Sequence, residues 1–443
     1  MKMKPILASL IALILLTSAL NGQSFNKAKS DSLLNLLADK NKAMGSLAVL
    51  ENGNVIYTKA IGFAEITPEK IASTEQTRYR IGSISKMFTA TLIFQLIEDG
   101  KLQLSTTLHK FFPTVPNAQK ITIGNLLYHR SGIHSFTNDS AYMHYMTMPK
   151  THQEMIRIIS ESKPEFEPDA KTEYSNSNFV LLGYIVEDLR KEPYNNILQQ
   201  YICSKAGLSD TYYGAKTDLA KNECYSFQWL TSWVKQPETD MSIPHGAGAI
   251  VSTPSDLVKF ISALFTGKLI SQESLDQMKT IKDGMGMGMQ KFPYENKTVY
   301  GHGGAIDGFN TILCYFPEEK LAVSYCSNGT VYAVNDILLR TINNYFNKPD
   351  KLPVFTSYDY KSEDLDQFLG VYSSLQIPIK LTITRKEGKL FGQGSGQPAF
   401  PLEASAKNVF KFETAGIVIN FNPEKGEFIL EQGGGKFTFT REK

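Results

Sequence analysis

Charge of one sign is missing from this chain. Lys and Arg number 46 against 44 Asp and Glu, a formal net charge of +2. That balance gives no electrostatic footprint for nucleic acid, and no run of like charges marks a disordered tail. Cysteine is scarce, four in 443 residues, and none of the spacings is that of a metal site. Past the N-terminus no segment is apolar enough to span a bilayer. No internal repeat is present, so repeat architectures are set aside. What remains is an ordinary soluble composition, 42% hydrophobic and 20% charged, in a chain too long for one core, which predicts two or three domains.

The N-terminus differs from the rest. Lys2 and Lys4 precede an apolar stretch from Ile6 to Leu16, followed by Ser18, Ala19 and Gly22. This is the three-part layout of a secretory signal peptide over residues 1–22, with cleavage before Gln23. The stretch falls short of the ~20 residues of a spanning helix, so no stable membrane anchor is expected after cleavage. With no cysteine near the cleavage site, no lipid attachment is expected either. The predicted location is periplasmic or secreted. In such a compartment cysteines can oxidise. If Pro317-Glu318-Glu319-Lys320 closes a hairpin, Cys314 faces Val323 and Cys326 points to the opposite face, so that pair should not bridge. Cys203 with Cys224 stays open between a bridge and two buried thiols.

Asp31 to Lys42 reads as an amphipathic helix. Gly45–Leu50 and Val55–Gly62 read as strands around an Asn-Gly turn. Ser83 to Asp99 carries apolar residues at helical spacing, ended by Gly100. Helices and loops are expected from Ile121 to about Leu219. Thr253-Pro254-Ser255-Asp256 opens another helix with a cap, a first-turn proline and a variant capping box. Thr298 to Ser327 returns to strands. Strands from both ends could assemble into one antiparallel sheet beside a helical lobe. These elements fill residues 23–347. Residues 348–354 read as a linker. Residues 355–443 read as a small β-meander or barrel, with strands at 381–391, 409–412, 417–421, 428–430 and 436–440.

Three segments carry chemistry. In Ser83-Ile84-Ser85-Lys86 the serine and lysine share one helix face. A helix N-terminus there offers free N–H groups to an oxyanion and favours an unprotonated lysine, which can take the serine proton. The same spacing recurs at Ser24/Lys27 and Ser160/Lys163, where a capping serine and a solvated lysine suffice. Ser83 differs because it opens a strongly apolar helix behind Gly82, which permits close backbone approach. In Tyr174-Ser175-Asn176 a phenol can shuttle a proton and an amide can hold both lysine and substrate. Tyr-x-Asn also recurs, at Tyr194, Tyr294 and Tyr345, where turn chemistry accounts for it. In His302-Gly303-Gly304-Ala305, followed by Asp307-Gly308-Phe309, the glycines suit a strand edge along which a substrate backbone lies, and an N–H from it could complete an oxyanion hole.

In this order the three segments resemble the serine β-lactamase and penicillin-binding-protein superfamily, in the branch of class C β-lactamases, D-alanyl-D-alanine carboxypeptidases and related esterases. Leu126-Leu127-Tyr128-His129-Arg130-Ser131-Gly132-Ile133 and the stretch Gly246 to Leu257 look like two further motifs of that branch. The likeness covers about residues 30–345. It implies an α/β (α+β) fold: an antiparallel sheet flanked by helices, beside an all-helical lobe, with the site between them. It implies Ser83 as acylated nucleophile and Lys86 as base, alone or shared with Tyr174, since which of the two takes the proton differs between accounts of such enzymes. Asn176 would orient Lys86 and the substrate amide, and the N–H groups of Ser83 and Ala305 would form the oxyanion hole. His302, Gly303, Gly304 and Ala305 would line the substrate site. No cofactor or metal is implied. The partner expected is a small-molecule or peptide substrate, with peptidoglycan-derived peptides among the candidates.

One motif departs from the family pattern. Where β-lactamases of this branch carry Lys and Thr, this chain has His302 and Gly303, a poorer receptor for a carboxylate. The reading is therefore an exported serine hydrolase acting on an ester or a D-amino-acid-containing peptide. The alternatives are a class C-like β-lactamase and a non-catalytic protein that binds cell-wall peptides or β-lactams.

Overall fold

The computed structural model describes residues 25–442 apart from 378, 398, 433 and 434. The expected signal segment, 1–22, lies outside the described residues. A six-stranded antiparallel sheet runs in the order Gln290–Tyr294, Lys297–Ile306, Phe309–Phe316, Leu321–Thr330, Ala43–Glu51, Asn54–Ile61. The two ends of the domain thus meet in one sheet, with Val49 opposite Val323. The first hairpin turns at Asn52 and Gly53, both with positive φ (51° and 82°), the conformation an Asn-Gly pair adopts at least cost.

Side-chain alternation sends the sheet's residues to two cores. Ala48, Leu50, Ala322 and Cys326 face a large core with Leu92 and Phe260. Leu47, Val49, Val323 and Cys314 face Leu34, Leu37, Ile337 and Ile342 on the other side. Phe316 pairs with Leu321 and Cys314 with Val323, so Cys314 and Cys326 do point apart. All four cysteines are buried free thiols. The helix Ser85–Glu98 is buried from Ser85 to Gln95 and stacks Phe88 on Phe260 at 3.6 Å between ring centroids. It packs on Asn176–Arg190, in a lobe that also contains the helices Ile123–Leu127 and His152–Glu161, while Pro254–Phe265, on which its Phe88 stacks, lies against the sheet.

Several local expectations change. The first helix is Lys27–Asp39, because Asn26 caps it by accepting from Lys29 N. Ser83 lies in a one-turn 3-10 segment, Gly82–Ile84, and the α-helix proper begins at Ser85. Thr253 does cap Pro254–Phe265. Asp256 does not complete a capping box, since its carboxylate accepts from Asp210 N and the Thr211 hydroxyl.

Residues 348–361 have no regular structure and lead to a closed eight-stranded antiparallel barrel built from residues 370–441. Two of its strands, Gly370–Ser373 and Phe400–Ala406, went unread in the sequence. The first is only four residues long, and the second holds Pro401 and a register shift between Ala404 and Ala406 that break the alternation. Lys42 bonds Glu403 and Glu413 at 3.0 Å each, tying the barrel to the start of the main sheet.

The sheet positions the site through one close crossing. The Gln290–Tyr294 strand reaches residues 297–301 of its neighbour and no further, so among the described residues 302–306 have no strand paired on that edge. The Ile81-Gly82 backbone crosses the face of that half-strand, on the side to which Thr311 turns its hydroxyl. A Cβ on Gly82 would lie 2.8 Å from Ala305 N, and one on Gly304 would lie 2.0 Å from Ile81 O. Gly82 also holds φ +51°. Gly82→Ala combines an unfavourable backbone conformation with a backbone clash. It should destabilise the protein by about 1–3 kcal/mol, read as a lower urea midpoint; an unchanged midpoint would show that the crossing does not need glycine.

Candidate active site

Lys86 is fully buried one turn after Ser83. Its Nζ lies 2.9 Å from Ser83 Oγ, 2.8 Å from Asn176 Oδ1 and 2.8 Å from the Ala247 carbonyl. The orientation of the Asn176 amide follows from its other contacts: Nδ2 donates to Thr137 Oγ1 at 2.9 Å, and its main-chain N–H donates to Ser135 Oγ at 3.1 Å. Oδ1 is thereby left for the lysine. Burial pushes the Lys86 ammonium well below its ordinary range.

The hydrogen-bond inventory then fixes how the amine points. Two of its three neighbours are carbonyl oxygens, which only accept. A neutral amine gives its two hydrogens to them and turns its lone pair to Ser83. In that neutral form the Ser83 hydroxyl can donate to the lone pair, while it accepts from Tyr174, whose phenol oxygen is 2.7 Å from Oγ. Burial holds the Tyr174 phenol well above its ordinary range, so it remains a donor. Its ring stacks on His129 at 4.4 Å. His129 in turn takes the Ser175 N–H at 3.1 Å.

The sheet side of the site is held by different contacts. The Thr311 hydroxyl donates to Ile81 O at 2.9 Å. Arg80, buried, pairs with Asp307 at 3.0 Å and Glu238 at 2.7 Å, anchoring the turn after Ala305 to the strand leading into Gly82. His302 is buried, and its ring lies 6.2 Å from that of Tyr174. His302 Nδ1 contacts the Gly303 carbonyl. An Nδ1–H donated there leaves Nε2 as an acceptor facing outward from that bond. Burial pushes the imidazole down to about 4, so it is neutral at neutral pH.

Ser83, Lys86, Tyr174 and Asn176 therefore meet in direct contact, and Ala305 lies against Gly82 beside Ser83. Gly303 and Gly304 belong to the half-strand with the free edge. Sequence reasoning gave no role to Ala247, Ser135, Thr137, Thr311 or the Arg80–Asp307 pair. Ala247 and His129 sat inside motif stretches without an assigned contact. Ser135 and Thr137 follow a motif by a few residues and carry no spacing signal at all. Together the arrangement can deprotonate a serine, offer main-chain N–H groups beside it and supply a phenolic proton.

Residues 34–343 match the Beta-lactamase family model. PbpX of Bacillus subtilis, a protein named for penicillin binding, is 29% identical over 303 residues, covering 68% of this chain and 73% of its own. Another penicillin-binding protein of Bacillus subtilis is 25% identical over 454 residues, 94% of this chain and 99% of its own. Among solved structures, the D-amino acid amidase of Ochrobactrum anthropi SV3, complexed with L-phenylalanine, is 27% identical with a TM-score of 0.63, covering 72% of this chain and 98% of that one. The family and these relatives support a serine hydrolase.

The neutral His302 has a consequence for stability. Unfolded, the imidazole binds a proton near its ordinary pKa of 6.5; folded, it waits until about 4. The unfolded state therefore gains protons first, and stability falls as pH drops from about 6.5 to about 4. His302→Gln should reduce the slope of the wild-type pH profile in that window, to which the buried His129 also contributes, measured by urea unfolding at several pH values. Parallel profiles for the two proteins would contradict the assignment.

Proposed function

The chain belongs to the Beta-lactamase family, and on that premise we propose that it is an exported serine hydrolase forming an acyl-enzyme at Ser83 on an ester or D-amino-acid-containing peptide. The observation that carries the mechanism is the pair of carbonyl acceptors on Lys86, which directs the amine's lone pair at the Ser83 hydroxyl. Lys86 takes the Oγ proton as Oγ attacks the substrate carbonyl carbon. The carbonyl π pair moves to oxygen, where the N–H groups of Ser83 and Ala305 stabilise it. Collapse restores the carbonyl and expels the alcohol or amine, which leaves with the proton held by the Lys86–Tyr174 pair. Water then repeats the sequence on the acyl-enzyme, returning the proton to Ser83.

Substrate preference rests on His302. A neutral ring whose free nitrogen accepts hydrogen bonds gives a carboxylate no cation. It suits an acyl donor carrying an N–H or an amine near the scissile bond. The D-amino acid amidase likeness supports the same class. A β-lactamase activity is the second reading, and the missing cation at 302 weighs against it. Export rests on residues 1–22 of the sequence, and a periplasmic or secreted location follows from it. The substrate is a small molecule or peptide, with peptidoglycan fragments a natural source of D-amino acids.

A fluorophosphonate probe should label Ser83, and Ser83→Ala should abolish labelling. Lys86→Ala should slow acylation by about a thousandfold; labelling elsewhere, or a near-normal burst from Lys86→Ala, contradicts the mechanism. Specificity has its own test. A Cβ at Gly303 would meet only Thr311 O at 3.7 Å, so a side chain fits. His302→Lys with Gly303→Thr should raise turnover of the anionic β-lactam nitrocefin relative to neutral p-nitrophenyl esters. An unchanged ratio would remove His302 from its role in specificity.

A further inference from the structure

A second cluster of reactive side chains lies away from Ser83. His152 begins the helix His152–Glu161, Glu187 sits in the last turn of Asn176–Arg190, and His245 begins the short helix His245–Gly248. Their ligand atoms lie within 4.8 Å of one another. Glu187 Oε2 is 3.4 Å from His152 Nε2 and 3.3 Å from His245 Nε2.

Those separations are informative. An ion bound tetrahedrally at about 2.0–2.1 Å sets its ligands about 3.3–3.4 Å apart, and two histidines with one glutamate form a known zinc donor set. Glu187 is also divided in function. Its Oε1 accepts the Tyr194 N–H at 2.7 Å, while Oε2, buried, has only the two imidazole Nε2 atoms near it among the described residues, neither in good hydrogen-bond alignment. A buried carboxylate oxygen without a well-aligned donor calls for a cation or a proton.

The rings are held in place. His245 is buried, adopts a left-handed backbone (φ 37°), and packs against Tyr184, Tyr194 and Tyr213. Its ring fits only because residue 183 is glycine; a Cβ there would lie 2.4 Å from Nδ1. His152 packs its ring on Tyr184 at 4.0 Å, and its helix is fixed by a Thr151–Glu154 capping box. Half of the His152 side chain is exposed, on an open groove lined by Phe111, Phe112 and Ile156. A fourth ligand, such as water, would reach a bound ion from that side.

We propose that His152, Glu187 and His245 form a binding site for one divalent zinc ion. The ion would tie together three helices, two of which also hold Lys86 through Asn176 and Ala247. The test uses the full chain stripped with a chelator. Titrated zinc should bind at one equivalent and raise the melting temperature, and cobalt should give the intense visible bands of a tetrahedral site. His152→Ala, at a half-exposed ring, should keep the circular dichroism of the wild type and lower zinc affinity by about a hundredfold. Glu187→Gln should do the same. A cobalt spectrum without tetrahedral bands, or zinc affinity unchanged in folded His152→Ala, overturns the proposal.

Discussion

The Lys86 amine sits wholly out of water between a hydroxyl and two carbonyl oxygens, and the architecture follows from supplying that environment. An ammonium so placed would lose its hydration for acceptors that carry no full charge. The neutral amine loses far less, and its two hydrogens are both satisfied. Each neighbour comes from a different part of the chain: Ser83 from the turn before the buried helix, Asn176 from the helical lobe, Ala247 from the segment behind it. Basicity at this point is a property of the packed tertiary structure and not of the Ser-x-x-Lys spacing, which Ser160 and the exposed Lys163 repeat without such surroundings.

The two sides of the site are built differently. The base side is assembled from helices, with Ser135 and Thr137 fixing the Asn176 amide and His129 backing Tyr174. The acceptor side is a backbone crossing, made possible by Gly82 and Gly304 and clamped by Thr311 and the Arg80–Asp307 pair. The buried ion pair sits where a small rotation of the turn would move Ala305 away from Ser83. The net stabilisation from such a pair is small, because desolvation of both charges offsets much of their attraction.

Much of this was legible in sequence because it depends on short-range pattern. The Asn-Gly hairpin, the Thr253 cap, the opposed faces of Cys314 and Cys326 and the strand–helix–strand layout each rest on one or two local rules. Ser83, Lys86, Tyr174 and Asn176 were legible as a set, though no single segment singled them out. What escaped was long-range or irregular. Asp256 looked like a capping residue because its true partners, Asp210 and Thr211, lie some forty-five residues away in sequence. The Phe400–Ala406 strand was hidden by a proline and a bulge. Ala247 acts through a main-chain carbonyl, which no residue type reveals.

The burial of all four cysteines carries a further implication. Burial pushes the thiols of Cys203, Cys314 and Cys326 up to about 12, and that of Cys224 upward as well. Thiolates are the species that oxidants and exchanging disulfides attack. These sulfurs are therefore both uncharged and out of reach. In the folded chain these four thiols are poor targets for oxidants and for exchanging disulfides.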